Sequence, residues 1–131
     1  MKKPKKPLDN YKKGRLGAFK HAFNGFYILF TEEPNSIIQG VLTILALLMG
    51  YFLRISSIEW IILCIVIGLV FAMEAINSAI ENLADFACGQ NFEESIKKTK
   101  DLSAAAVLFS AITALIAGLI IFLPKLLSLL F

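Results

Sequence analysis

The sequence predicts an all-α membrane protein: three transmembrane helices plus an N-terminal amphipathic helix on the membrane surface. Three observations lead there. Of the 131 residues, 57% are hydrophobic and the mean hydropathy is +0.72, above what an ordinary soluble domain carries. The apolar residues gather into three runs, Ile37–Leu53, Ile58–Ile80 and Leu102–Leu123, each close to the roughly 20 residues a helix needs to cross hydrocarbon. The basic residues are unevenly spread, eight of the thirteen Lys and Arg falling within the first twenty positions.

Residues 1–10, MKKPKKPLDN, are rich in Pro and Lys and are expected to be a disordered basic tail. Residues 11–131 then form one domain, and no cleavable signal peptide is expected. Over 11–30, Leu16, Phe19, Phe23, Phe26, Tyr27 and Phe30 recur at three- and four-residue steps among Lys12, Lys13, Arg15, Lys20 and His21. That pattern is an amphipathic helix lying in the interface, its lysines toward anionic headgroups. A tail this basic also suits nucleic acid, but apolar spans follow at once, so no nucleic-acid partner is expected.

TEEPNS at 31–36 breaks the helix, with Pro34 suited to the first turn of the next. The first span is placed at 35–53 and the link Arg54–Ser57 is very short. The second span covers 58–86, with Trp60 as an interfacial anchor. A polar stretch over 86–101 contains the basic start of the last helix, 97–123, which Pro124 closes. Cys64 and Cys88 lie at different depths without metal-ligand spacing, so two free thiols are expected. Eight basic residues before the first span and three after the second (Lys97, Lys98, Lys100) face two, Arg54 and Lys125, on the other side. The positive-inside rule therefore puts the N-terminus and the 86–101 stretch in the cytoplasm.

At the cytoplasmic end of the second span stand Glu74, Asn77, Ser78, Glu81 and Asp85, at helical spacing that suggests one stripe. Glu33 starts the first span, and Lys100 and Asp101 start the third. A carboxylate at the lipid boundary is costly and points to function; Glu74 suits a general base there. Carboxylates without His or Cys suit a hard ion such as Mg²⁺, which travels with nucleotide phosphates, and a lysine at a helix start suits those phosphates. Acidic metal donors, a phosphate-binding cation and a base are the parts of phosphoryl transfer. No Walker or protein-kinase Gly-rich loop is present. An interhelical hydrogen-bond seam is the plainer reading of such a stripe, and by themselves Asp85, Lys97 and Lys98 favour it.

The run Glu74-Ala-Ile-Asn-Ser-Ala-Ile-Glu81, then Asp85, then Lys100-Asp101-Leu-Ser-Ala-Ala-Ala-Val107 resembles the prokaryotic diacylglycerol kinase/undecaprenol kinase family. The similarity extends to Ala22–Gly25, the Glu33 neighbourhood and the three-span layout, roughly residues 14–123. The resemblance implies a homotrimer in a prokaryotic cell membrane. Its active sites would be shared between subunits on the cytoplasmic face, and ATP would phosphorylate a membrane lipid alcohol. It implies Glu74 as the catalytic base with Asn77 ordering it, and Glu33 and Glu81 as Mg²⁺ ligands. His21, Glu33, Glu81, Asp85, Lys100 and Asp101 would lie around the nucleotide.

The basic N-terminus and the Ala22-Phe-Asn-Gly25 start resemble the undecaprenol branch more than the diacylglycerol branch, which stays as the alternative. Where the family carries an arginine after Glu33 this chain has Pro34-Asn35-Ser36-Ile37-Ile38-Gln39, and Asn91-Phe92-Glu93 replaces an E-x-H. These departures bear on substrate choice and nucleotide affinity, and they motivate a catalytically inactive relative as another alternative. A small oligomeric transporter with a proton-coupling carboxylate is the alternative from a different class; it predicts an isolated intramembrane Glu.

Overall fold

Four helices follow one another in the computed structural model: α1 (Arg15–Glu32), α2 (Pro34–Phe52), α3 (Ser57–Cys88) and α4 (Glu94–Leu130). The structure describes residues 15–89 and 91–131; the expected tail, 1–10, and the first residues of the expected surface helix lie outside them. No strand occurs among the described residues, and α2, α3 and α4 are each long and apolar enough to span a bilayer.

α1 turns its large apolar side chains outward: Leu16, Phe19, Phe23 and Phe26 are exposed, and Leu29 is its buried residue. An apolar face with so little protein against it suits the membrane interface. The helix is tied to the bundle near its C-terminal end, where the Phe30 ring meets Phe71 of α3 at 5.5 Å between centroids.

The break between α1 and α2 is a single residue, shorter than the six-residue TEEPNS stretch suggested. Proline disfavours helical backbone in the residue before it. Glu33 is accordingly extended, at φ −107° and ψ 103°, while Pro34 opens α2, where its missing N–H costs nothing. Pro34 therefore decides where the Glu33 carboxylate stands.

α2 has 19 residues, or about 28 Å of helix, a close match to the ~30 Å hydrocarbon core. The link to α3 bends through Arg54, which sits at φ 51°. Ser56 then caps α3: its Oγ accepts from the Glu59 N–H at 3.3 Å and its own N–H donates to Glu59 Oε2 at 2.6 Å. Such a capping box satisfies two of the orphan donors of a helix start. Lys125 Nζ lies 3.3 Å from the same Glu59 oxygen, tying the end of α4 to the start of α3. Between these ends sits the apolar core of Ile55, Leu63, Ile121 and Phe122, with Met49, Trp60 and Ile67 against it. Cys64 and Cys88 are both free, as expected.

Three helix ends differ from the sequence expectation. α3 continues to Cys88 and α4 begins at Glu94, so the connection is shorter than 86–101. Residues 94–101 have ordinary helix-forming side chains and need no lipid to remain helical. Nor does Pro124 close the third span: it lies inside α4, which runs on to Leu130. Proline removes one backbone hydrogen bond and crowds the carbonyl four residues back, but the segment after it, LysLeuLeuSerLeuLeu, resumes helical bonding, and Lys125 is held by Glu59.

α3 (32 residues) and α4 (37 residues) exceed the bilayer. Glu74 stands seventeen positions after Ser57, about 26 Å along the axis, and Glu81 about 36 Å. With Ser57 at one membrane surface, the first carboxylate falls near the opposite edge of the hydrocarbon and the second beyond it.

Gly50 is the tightest glycine contact near the core: a Cβ there would stand 2.8 Å from the Trp60 ring and 3.0 Å from Ile55 Cδ1, whereas Gly118 has open space. Gly50→Ala is expected to destabilise the detergent-solubilised protein by about 1–3 kcal/mol. Gly118→Ala should be neutral or slightly stabilising, and thermal melts of the two variants beside the wild type check the contrast.

Candidate active site

The polar residues of α3 divide into two adjacent rows, where the spacing had suggested one stripe. Positions four apart drift by about 40° around a helix and positions three apart by about 60° the other way. Glu74 and Ser78 consequently face α2 and the α1–α2 corner, while Asn77, Glu81 and Asp85 turn toward α4.

In the first row Glu74 is 2% exposed. Its Oε2 accepts a hydrogen bond from Gln39 Nε2 of α2 at 3.1 Å. One turn further on, Ser78 Oγ donates to Glu33 Oε1 at the corner, and Asn82 Nδ2 donates back to the Ser78 carbonyl at 3.1 Å. Glu33 is therefore bound to α3 by a neutral donor, which leaves its charge uncompensated by this contact.

In the second row Asn77 Oδ1 accepts from Ser103 Oγ of α4 at 2.7 Å, and the same hydroxyl contacts the Lys100 carbonyl at 2.9 Å. Lys100 Nζ donates to Asp85 Oδ1 at 2.8 Å, and Glu81 adds negative charge near that ammonium. Asp101 is paired with Lys97 one turn before it in α4, both side chains being well exposed. An exposed pair of this kind adds little to stability, so Asp101 exchanges partners at small cost. His21 is on the exposed surface of α1.

Of the residues singled out in the sequence, Glu33, Glu74, Asn77, Glu81, Asp85 and Lys100 are thus drawn to one end of the bundle, on two faces of α3. His21 and Asp101 lie outside these two rows. Among the described residues no three His, Cys, Asp or Glu side chains come together as a metal-binding group; one chain offers Glu33 and Glu81 on neighbouring rows. Gln39 and Ser103 belong to the same polar system and were not singled out as site residues from the sequence. The signal available for them was only that each is a polar residue within an apolar helix, facing a neighbouring span.

Between α1 and α3 runs an apolar groove of about 700 Å³, walled by Phe26, Phe71 and the small residues Gly25, Gly68, Ala72 and Ala75, with Ser78 and Asn82 at its polar end. It ends beside the row that carries Glu74. An elongated apolar molecule with a polar terminus fits these dimensions and this polarity.

Residues 20–122 match the prokaryotic diacylglycerol kinase family. The chain is 35% identical over 109 residues to the undecaprenol kinase of Bacillus subtilis (strain 168), covering 83% of this chain and 88% of that one. It is 34% identical over 106 residues to the diacylglycerol kinase of Escherichia coli (strain K12), with 81% and 86% covered. A diacylglycerol kinase of Synechocystis is 33% identical over 114 residues, which are 87% of this chain but 65% of that longer relative. With three apolar spans, a buried carboxylate where the first and second meet, and similarity across most of its length, the chain belongs to the prokaryotic diacylglycerol kinase family and is a membrane lipid kinase.

Proposed function

We propose that the chain transfers the γ-phosphate of ATP to the hydroxyl of a membrane lipid alcohol, undecaprenol before diacylglycerol, at the cytoplasmic surface of a prokaryotic cell membrane. The observation that carries this reading is Glu74: a carboxylate 2% exposed, at the inner edge of the hydrocarbon, beside a groove that would take a lipid chain. A charge is kept at such a depth for a purpose. The lipid enters sideways from the bilayer with its hydroxyl at the polar end of the groove. Glu74 takes the hydroxyl proton as the lipid oxygen bonds to the γ-phosphorus. The bond from that phosphorus to the β–γ bridging oxygen breaks, and ADP leaves to water.

Lys100 supplies positive charge to the phosphates. Asp85, which holds Lys100 at 2.8 Å, keeps its ammonium at the site until they arrive. Asp101 contacts the nucleotide after releasing Lys97, and His21 approaches it from α1. Asn77, fixed by Ser103 at 2.7 Å, ties α3 to α4 within one turn of Glu74 and so helps to order the base.

The donors present fit Mg²⁺: Glu33 and Glu81 are half-buried carboxylates without competing sulfur or imidazole, the oxygen chemistry a hard cation takes. When bound there with the phosphates, Mg²⁺ would neutralise charge on the transferring group. Mg²⁺ is usually held by one or two carboxylates together with phosphate oxygens and water, so Glu33 and Glu81 suffice as protein donors; a homotrimer with shared sites is part of the same reading.

The preference for undecaprenol rests on the likeness to the Bacillus relative along 88% of its length and on the basic N-terminal segment. Purified protein with Mg-ATP and each lipid alcohol tests it: undecaprenol is expected to turn over faster, and equal or faster phosphorylation of diacylglycerol overturns the preference. Glu74→Gln should lower kcat on the preferred lipid by roughly 10²–10⁴-fold, the range for loss of a general base, while Mg-ATP binding is unchanged. Full turnover by that variant would contradict the assignment. Lys100→Met removes a charge-assisted contact and should raise the KM for ATP by about 10-fold or more, with the KM for lipid unaltered.

A further inference from the structure

One turn apart on α2 stand Ser36 and Gln39, the latter on the face that meets α3. Ser36 is 0% exposed, and both Ser36 Oγ and Gln39 Oε1 are buried without a hydrogen-bond partner among the described residues. The arrangement is poor for stability alone. A buried polar atom left unpaired costs about 1–3 kcal/mol, and an apolar side chain of the same shape avoids that cost. What the Gln39 amide provides in exchange is its N–H donor, 3.1 Å from Oε2 of Glu74. The contact also decides which way the amide faces. Turned over, Gln39 Oε1 would oppose a carboxylate oxygen, two acceptors with no proton between them.

We infer that Gln39 is a positioning residue for phosphoryl transfer, its amide holding one oxygen of Glu74 so that the other is presented to the hydroxyl of the lipid. This deepens the assignment of Glu74 as the base and rests on it. α2 and α3 are joined by a short link and packed closely beside it, where Gly50 of α2 lies against the Trp60 ring of α3, so Gln39 stands on a rigid neighbour. A carboxylate supported from one side only is free to swing about its own side-chain torsions once that support is lost, and a misplacement of about 1 Å in a reacting group is enough to cost 10²-fold in rate.

The test is steady-state kinetics in mixed micelles with Mg-ATP and, separately, undecaprenol and diacylglycerol. Gln39→Met keeps the volume and removes both polar atoms. On whichever lipid the wild type prefers, it should lose 10- to 100-fold in kcat, with the KM values for ATP and lipid within twofold. Because Gln39 acts through Glu74, the double variant Gln39→Met/Glu74→Gln should be no slower than Glu74→Gln alone. Near wild-type kcat in Gln39→Met, with Glu74→Gln inactive, overturns the role of Gln39 and leaves the base assignment standing. A further loss in the double variant equal to that in the single one overturns it too, since it shows an effect independent of Glu74. Wild-type turnover by Glu74→Gln removes the base assignment and this inference together. If Gln39→Met does not assemble, Gln39→Asn withdraws the same amide by one methylene: a comparable loss in kcat supports the role and an unchanged kcat overturns it.

Discussion

A carboxylate removed from water beside hydrocarbon is the constraint on which the rest of this molecule turns. Glu74 is 2% exposed, and at that depth an ionised group is tolerated only where neighbouring protein supplies hydrogen bonds. Here the donor comes from α2, through Gln39. The bond requires α2 and α3 to lie side by side in one register. One turn further along α3 the same register brings Ser78 to Glu33. Glu33 in turn stands where it does because Pro34 forces an extended residue before α2. The corner so formed sets where α1 leaves the bundle, and α1 and α3 together leave the apolar groove beside the carboxylate.

The opposite face of α3 meets a different requirement. α3 and α4 both outrun the bilayer, and where the end of α3 meets the start of α4 they remain paired through polar contacts: Asn77 with Ser103, and Asp85 with Lys100. These bonds have a dual character. In the isolated chain they are the interhelical seam that the plainer reading of the sequence favoured, at least for Asp85. They also place a lysine and three acidic side chains within a few turns of Glu74. Stability and chemistry draw here on the same residues, and an exposed ion pair is weak enough to open when phosphate competes for the ammonium. At the other end of the bundle the needs are simpler. A capping box, the Lys125–Glu59 ion pair and the contact of Trp60 with Gly50 close the bundle.

The spans and the place of Glu74 at the end of an apolar run were legible because hydropathy and its interruption are properties of the chain taken one residue at a time. Helix ends were less so. Glu94 and Ser95 are polar and nevertheless helical, since a helix continues into water on ordinary propensity once the membrane has nucleated it, and Pro124 is carried inside α4 because the segment beyond it remains helical. The division of 74–85 into two rows depends on which helix lies on which side, and spacing alone is silent on that. Gln39 shows the limit most clearly. Its partner is thirty-five residues away, and a lone amide in an apolar run looks the same whether it faces lipid, water or a carboxylate. The family motif identified Glu33 and Glu81, but one chain does not gather them with a third acidic group.

The central claim is that acidic side chains from separate spans meet one divalent ion and one nucleotide at the inner membrane surface, with Glu74 beside them. Magic-angle-spinning NMR of glutamate carboxyl carbons in lipid bilayers measures this directly, using Mn²⁺-ATP in place of Mg²⁺-ATP and single Glu→Gln variants for assignment. The account predicts that the Glu33 and Glu81 signals vanish through paramagnetic relaxation, that Glu74 broadens strongly, and that Glu59, at the far end of α3, stays sharp. Sharp signals from Glu33 and Glu81 in the presence of bound Mn²⁺-ATP would contradict it.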